Sequence, residues 1–309
     1  MDKRAYIPHC QVRNNCLVLY EVPDLPYRHG RDVEGLKLKY SGKVAAGTQK
    51  RIRKAIDIFL QITPSRQIWN PVIEIFHPFR LSFITLTIAE TRRNINAKEA
   101  HKTLLRPWLD WATGQRVGAK NYIWKAEWQE RGQLHYHVTT DVFIHYQDIQ
   151  KKWNALQKKA GLLDAYAKKH RHFNPNSIDV HSVRNIQDFE AYLAKYIAKD
   201  SQNGKEMDGK VWDCSARLKE KRYIGELDSV TAKNVEAAIL DGKAEKVALD
   251  NCTIIKVPHP EKLLSATMRK EYSDWLQGIP PPPPPPRPAP APVQAPPRPE
   301  KVTQLRLGF

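Results

Sequence analysis

The chain has 309 residues, enough for one large domain or two smaller ones. Fifty Lys and Arg against 33 Asp and Glu leave a formal charge of +17, an excess that favours a polyanionic partner because each neutralised phosphate releases counterions. There is no bilayer-spanning apolar run, signal-peptide core or Gly-x-x-x-x-Gly-Lys phosphate loop, so neither a membrane protein nor a built-in helicase is expected.

In chain order, residues 1–65 read as an N-terminal extension of unknown role. Turn formers cluster from Pro23 to Gly47, and a basic amphipathic helix is expected over Thr48–Gln61. Residues 71–76 and 81–88 are rich in β-branched and aromatic residues and read as strands. Asn96 can cap a helix running to Thr113, with Gly114 ending it. Tyr122–Gln129 and Leu134–His145 read as an antiparallel hairpin around Arg131-Gly132, followed by a helix with Trp153, Leu156 and Leu162 on its apolar side. A strand over Ser177–Val183 and a helix over Ile186–Lys199 follow, then a strand over 211–218 and helices near 229–242 and 260–277. This order predicts an α+β domain over 66–278, with flanking helices on a central antiparallel sheet of about five strands. Seven consecutive prolines, Pro280–Pro286, and several more up to Pro299 cannot pack into a core. Residues 279–309 are therefore expected to form a disordered, semi-rigid arm. Cys10, Cys16, Cys214 and Cys252 show no Cys-x-x-Cys spacing, which argues against a disulfide framework and fits a reducing cytoplasm.

Two short signatures carry chemistry. In His135-Tyr136-His137, strand alternation puts both imidazoles on one face, about 6.6–6.8 Å apart along the strand. A hard ion such as Mg²⁺ or Mn²⁺ also wants an oxygen ligand, and Glu127 lies on the preceding strand. A three-residue loop, Glu130 to Gly132, places Glu127 opposite His135 and on the same face, whereas a two-residue loop sends it to the other face. Gln129 shares its parity and is the alternative donor.

The second signature is Tyr192-Leu-Ala-Lys195-Tyr196-Ile-Ala-Lys199. At about 100° per residue, the two tyrosines and two lysines fall within roughly 100° of helical arc. Nearby ammonium groups favour the phenolate of a tyrosine and offset charge on a phosphoryl group. An ordinary amphipathic helix, with packed tyrosines and solvated lysines, is the competing reading.

Together these motifs resemble those of the HUH-type rolling-circle replication initiators, most of all the two-tyrosine kind found in single-stranded DNA phages. The resemblance covers about 75–220 and rests on three signatures in order: the strand Phe83-Ile-Thr-Leu-Thr87, His135-Tyr136-His137, and Tyr192-x-x-Lys195-Tyr196-x-x-Lys199. It implies an HUH endonuclease fold of split βαβ character. It also implies Mg²⁺ or Mn²⁺ on His135, His137 and Glu127, and nucleophilic Tyr192 and Tyr196 assisted by Lys195 and Lys199. The expected activity is nicking and rejoining of single-stranded origin DNA through a 5′-phosphotyrosine, with host helicase and polymerase as partners in a bacterial cytoplasm. Alternatives are an HUH transposase or relaxase, or a basic nucleic-acid-binding module without catalysis. The segment Gln304-Leu-Arg-Leu307-Gly-Phe309 resembles the bacterial sliding-clamp peptide, with Gln304, Leu307 and Phe309 as its anchors.

Overall fold

A computed structural model describes residues 6–23, 46–70, 74–89, 96–129, 132–182 and 207–280. The tyrosine segment 192–199, the proline-rich arm from 281 onward and the clamp-like peptide lie outside the described residues.

The central sheet contains β5 (Ser82–Thr87), β6 (Tyr122–Trp128), β7 (Leu134–Thr140), β8 (Ile178–Ser182) and β9 (Trp212–Cys214). Its order is β8-β5-β7-β6-β9, with every neighbouring pair antiparallel. The fold is thus α+β on a five-stranded antiparallel sheet, as the order of elements predicts. One face of this sheet is apolar. Trp124 and Tyr136 meet there edge to face, and Tyr136 meets Trp153 of helix α4 (Tyr146–Lys159) in the same way. Trp153 also donates its indole N–H to the Thr87 carbonyl at 2.8 Å, tying α4 to β5.

The helix expected over 96–113 forms in three pieces: α2 (Ala97–Ala100), a π-helical stretch (His101–Leu105) and α3 (Arg106–Thr113). Pro107 stands at the start of α3. It lacks the N–H that would continue an α-helical ladder, so the preceding turn widens. The Asn96 side chain caps α2, accepting from Lys98 N at 2.8 Å. The strand expected to reach His145 stops at Thr140; His145 instead caps α4, accepting from Gln147 N. A short helix, α5 (Asp164–His170), precedes β8. The strand expected over 211–218 is shorter: β9 gives way to a 3₁₀ turn over Ala216–Lys219.

Residues near the N-terminus enter a second five-stranded sheet, which the sequence reading did not anticipate. β1 (Tyr6–Arg13) and β2 (Cys16–Pro23) form a hairpin around Asn14-Asn15. β1 pairs with β10 (Ile224–Glu226), and β2 pairs with β12 (Cys252–Lys256), which forms a hairpin with β11 (Glu245–Leu249). Helices α6 (Ser229–Leu240) and α7 (Ala266–Gln277) complete this part. Its core includes Cys10, Val12, Leu17, Val235, Ile255, Met268 and Tyr272. A separate two-stranded ribbon, β3 (Arg66–Asn70) with β4 (Ile75–Phe79), occupies the region where a strand over 71–76 is expected.

Helix α1 (Ala46–Ile62) bridges the two cores. Ile52, Ile56 and Phe59 belong to the central core. The buried Asp57 accepts from Asn14 N at 2.9 Å, in the β1–β2 turn, and pairs with Arg222 just before β10. Gln61 accepts from Tyr272 of α7 at 3.1 Å. Arg80 donates to the Leu60 and Thr63 carbonyls and so satisfies the C-terminal end of α1.

Candidate active site

The polar face of the central sheet carries the candidate residues. β6 and β7 pair with Glu127 opposite His135 and Lys125 opposite His137. Gln129 N donates to Gln133 O at 2.9 Å, so the connecting loop is three residues long. Side chains directly opposite in neighbouring strands point to the same face. Glu127, His135 and His137 therefore share a face, as that loop length requires. One row crosses all five strands: Asp179, Thr85, His137, Lys125 and Trp212.

His137 is held on three sides. Its Nε2 lies 3.2 Å from Glu127 Oε2, its Nδ1 lies 3.2 Å from Thr85 Oγ1, and the Phe83 ring stacks on it at 5.5 Å. Thr85 can donate to or accept from a ring nitrogen, so it supports either tautomer. The His135 Nδ1 meets the Gln129 amide at 3.0 Å. The His135 Nε2 is buried without a hydrogen-bond partner. Burial, with the neighbouring His137, pushes the His135 imidazole down to about 4, against an upward pull from Glu127. His135 is therefore neutral at physiological pH, the form a metal ligand needs.

Among the described residues no three His, Cys, Asp or Glu side chains form a ready metal cluster. Glu127 and His137 hold one another, and the two histidine rings stand 6.4 Å apart. The donor set nevertheless fits a hard divalent ion in its chemistry. It offers a carboxylate, two imidazoles, and at His135 Nε2 a buried nitrogen with nothing to bind. When the Gln129 carbonyl accepts Nδ1–H of His135, the Nε2 lone pair is left for a cation, the usual outer support of a metal-bound histidine. Glu127 is 27% exposed at its side chain, so a ligand can reach it.

Sequence reasoning missed Thr85 and Lys125. Both share the strand parity of the histidines, which is the signal that could have found them. Lys125 is 1% exposed, an unusual burial for a lysine, and it stands between His137 and Trp212 in the row.

Residues 81–201 match a family model of replication-associated proteins, the ORF2 type. The match begins beside β5, contains Glu127, His135 and His137, and continues through Tyr192–Lys199 in sequence. It supports a replication initiator of the Rep type. No curated protein and no solved structure matches the chain. No helix among the described residues is long and apolar enough to cross a membrane.

Proposed function

We propose that this protein initiates rolling-circle replication by nicking single-stranded origin DNA and later rejoining strands. The observation that carries this reading is the convergence of Glu127, His135 and His137 on one sheet face, within the replication-associated segment that also contains the paired Tyr-x-x-Lys motif.

In this reading His135, His137 and Glu127 would hold Mg²⁺ or Mn²⁺, which when bound polarises the scissile phosphate. Thr85, Phe83 and Gln129 orient the two imidazoles. The hydroxyl oxygen of Tyr192 or Tyr196 attacks phosphorus, the P–O3′ bond breaks, and the 3′-oxygen leaves as a hydroxyl with the proton the tyrosine gives up. The product is a 5′-phosphotyrosyl link and a free 3′-hydroxyl for a polymerase. The second tyrosine then cuts the regenerated origin, and a 3′-hydroxyl attacks the first link, releasing the tyrosine and closing the strand. The bond energy stays in the phosphodiester, so rejoining needs no ATP. Lys195 and Lys199 favour the phenolate and offset phosphoryl charge. The described chain leaves one edge of the sheet at Ser182 and resumes at Met207, just before the opposite edge strand β9. The tyrosines thus belong to the connection between the two edges. We place them on the histidine face because α4 and its partners cover the other.

The test is a covalent-adduct assay. Labelled origin strands are incubated with Mn²⁺ and run under denaturing conditions, using the wild type, Tyr192→Phe, Tyr196→Phe and the double variant. An SDS-resistant adduct lost in the double variant is expected. Full adduct in the double variant rejects the tyrosine mechanism, and no adduct from the wild type favours a non-catalytic DNA-binding module. The segment ending at Phe309 would bring a sliding clamp, and with it the host polymerase, to the new 3′ end. Calorimetry with a 304–309 peptide and purified clamp tests this, and absence of binding rejects it.

A further inference from the structure

A cleft of about 490 Å³ opens between α1 and the edge strand β9. Arg51 and Lys54 of α1 line one side, and Lys210, Trp212, Asp213 and Lys219 the other. All of these lie outside the replication-associated segment 81–201. We propose that this cleft is a groove for the phosphate backbone of single-stranded DNA, leading a strand onto the histidine face. The proposal rests on the initiator reading and adds a binding surface to it.

The charges support a polyanion. Lys210 and Lys219 both bind Asp213, at 3.0 and 2.7 Å. Burial alone would raise that carboxyl, but the bonds from Lys219 and Lys210 outweigh it and hold the group below its ordinary range. Asp213 therefore stays ionised and offsets one positive charge of four. No carboxylate among the described residues pairs with Arg51 or Lys54; Arg51 bonds to Thr48 Oγ1, and Lys54 donates to the Lys219 carbonyl. Burial and the neighbouring Arg222 push the Lys54 ammonium down, a strain that an incoming phosphate relieves.

Position supports the same occupant. Trp212 at the cleft sits in the row that runs through Lys125 to His137. Two strand spacings of about 4.8 Å separate Trp212 from His137, roughly 10 Å. One strand seated on Arg51 and Lys54 can thus pass β9 and reach the histidines without leaving the sheet.

The experiment is fluorescence anisotropy with a labelled single-stranded oligonucleotide, titrated from 50 to 200 mM salt. The full chain, the double variant Arg51→Ala/Lys54→Ala, and a charge-matched control, Lys246→Ala/Lys256→Ala, are compared, each with its fold checked by circular dichroism. Each lost phosphate contact on a single strand lowers the log–log salt slope by about 0.7. The cleft variant is expected to lose about 1.4 in slope and bind roughly 25-fold more weakly near 0.1 M salt, while the control stays near wild type. An unchanged cleft variant, an equal loss in the control, or a loss confined to duplex DNA overturns the groove but leaves the initiator reading intact. A wild type that binds no single-stranded DNA and forms no covalent adduct overturns both. Where Arg51→Ala/Lys54→Ala fails to fold, Arg51→Gln and Lys54→Gln singly replace it, each expected to lose about 0.7 in slope; unchanged slopes in both overturn the groove.

Discussion

Thr85 offers the sharpest test of how the candidate site is built. It touches His137 only at Nδ1, 3.2 Å away, on the side of the ring opposite Glu127. Thr85→Val keeps the volume and the β-branched shape that suits a strand, and removes the one hydroxyl that fixes the ring's rotation and tautomer. Loss of an outer partner of a metal-bound histidine usually costs 10–100-fold in metal affinity, about 1.4–2.7 kcal/mol. Phe83 still stacks on the imidazole, so the lower part of that range, about 10–30-fold weaker Mn²⁺ binding, is expected here. The lost neutral hydrogen bond should lower stability by only about 1 kcal/mol. Calorimetric Mn²⁺ titration reads the first effect, and thermal melting without metal the second. Thr85→Ser retains the hydroxyl and should recover most of the affinity. Wild-type affinity in Thr85→Val, or a serine variant as weak as the valine one, would refute the positioning role. A wild type that takes up no Mn²⁺ would remove the metal site itself.

Other expectations follow from single contacts. Asp57→Ala leaves Arg222 without its carboxylate and the Asn14 N–H without its acceptor, so denaturant unfolding should show a loss of about 3–5 kcal/mol; a change below about 1 kcal/mol would mean that α1 does not tie the two cores. Tyr136→Phe removes a hydroxyl that is buried without a partner, so stability should hold or rise by up to about 1 kcal/mol, as read by thermal melting; a clear loss would contradict that burial. Cys10 and Cys214 are buried, and burial pushes their thiols up to about 12 and about 11. At pH 8 a thiol reagent should therefore label the native chain at Cys16 and Cys252 first, with the other two reacting on unfolding; fast labelling of Cys10 would show that the second sheet opens readily.

Much of the catalytic sheet was legible because its information is local. Alternation in Phe83-Ile-Thr-Leu-Thr87 and in His135-Tyr136-His137 reports strand and face together, and the loop length alone decides where Glu127 points. The helix over 96–113 carried its own cap in Asn96, although the widened turn before Pro107 was not foreseen. The second sheet could not be read in this way. β1 contains Pro8 and alternates poorly, and its partner β10 is three residues long and lies more than two hundred positions away. Such strands are specified by pairing and by a shared core, and neither shows in a short window. The two-residue turns Asn14-Asn15 and Asp250-Asn251 were the local signals available for these hairpins.

The same division explains why α1 reads as only a basic amphipathic helix. Its apolar stripe announces a helix, while its polar residues have roles set by distant segments. Asp57 meets Arg222, and Lys54 meets the backbone of Lys219. One helix therefore anchors the second sheet to the first and presents Arg51 and Lys54 beside β9. Anchoring and charge are carried by different residues. Asp57→Ala should weaken folding, whereas Arg51→Ala/Lys54→Ala should weaken DNA binding and leave the denaturant midpoint nearly unchanged, since both cations lack a carboxylate partner among the described residues. A large fall in midpoint for that double variant would show that the two cations serve the fold, and the cleft would then lose its reading as a groove.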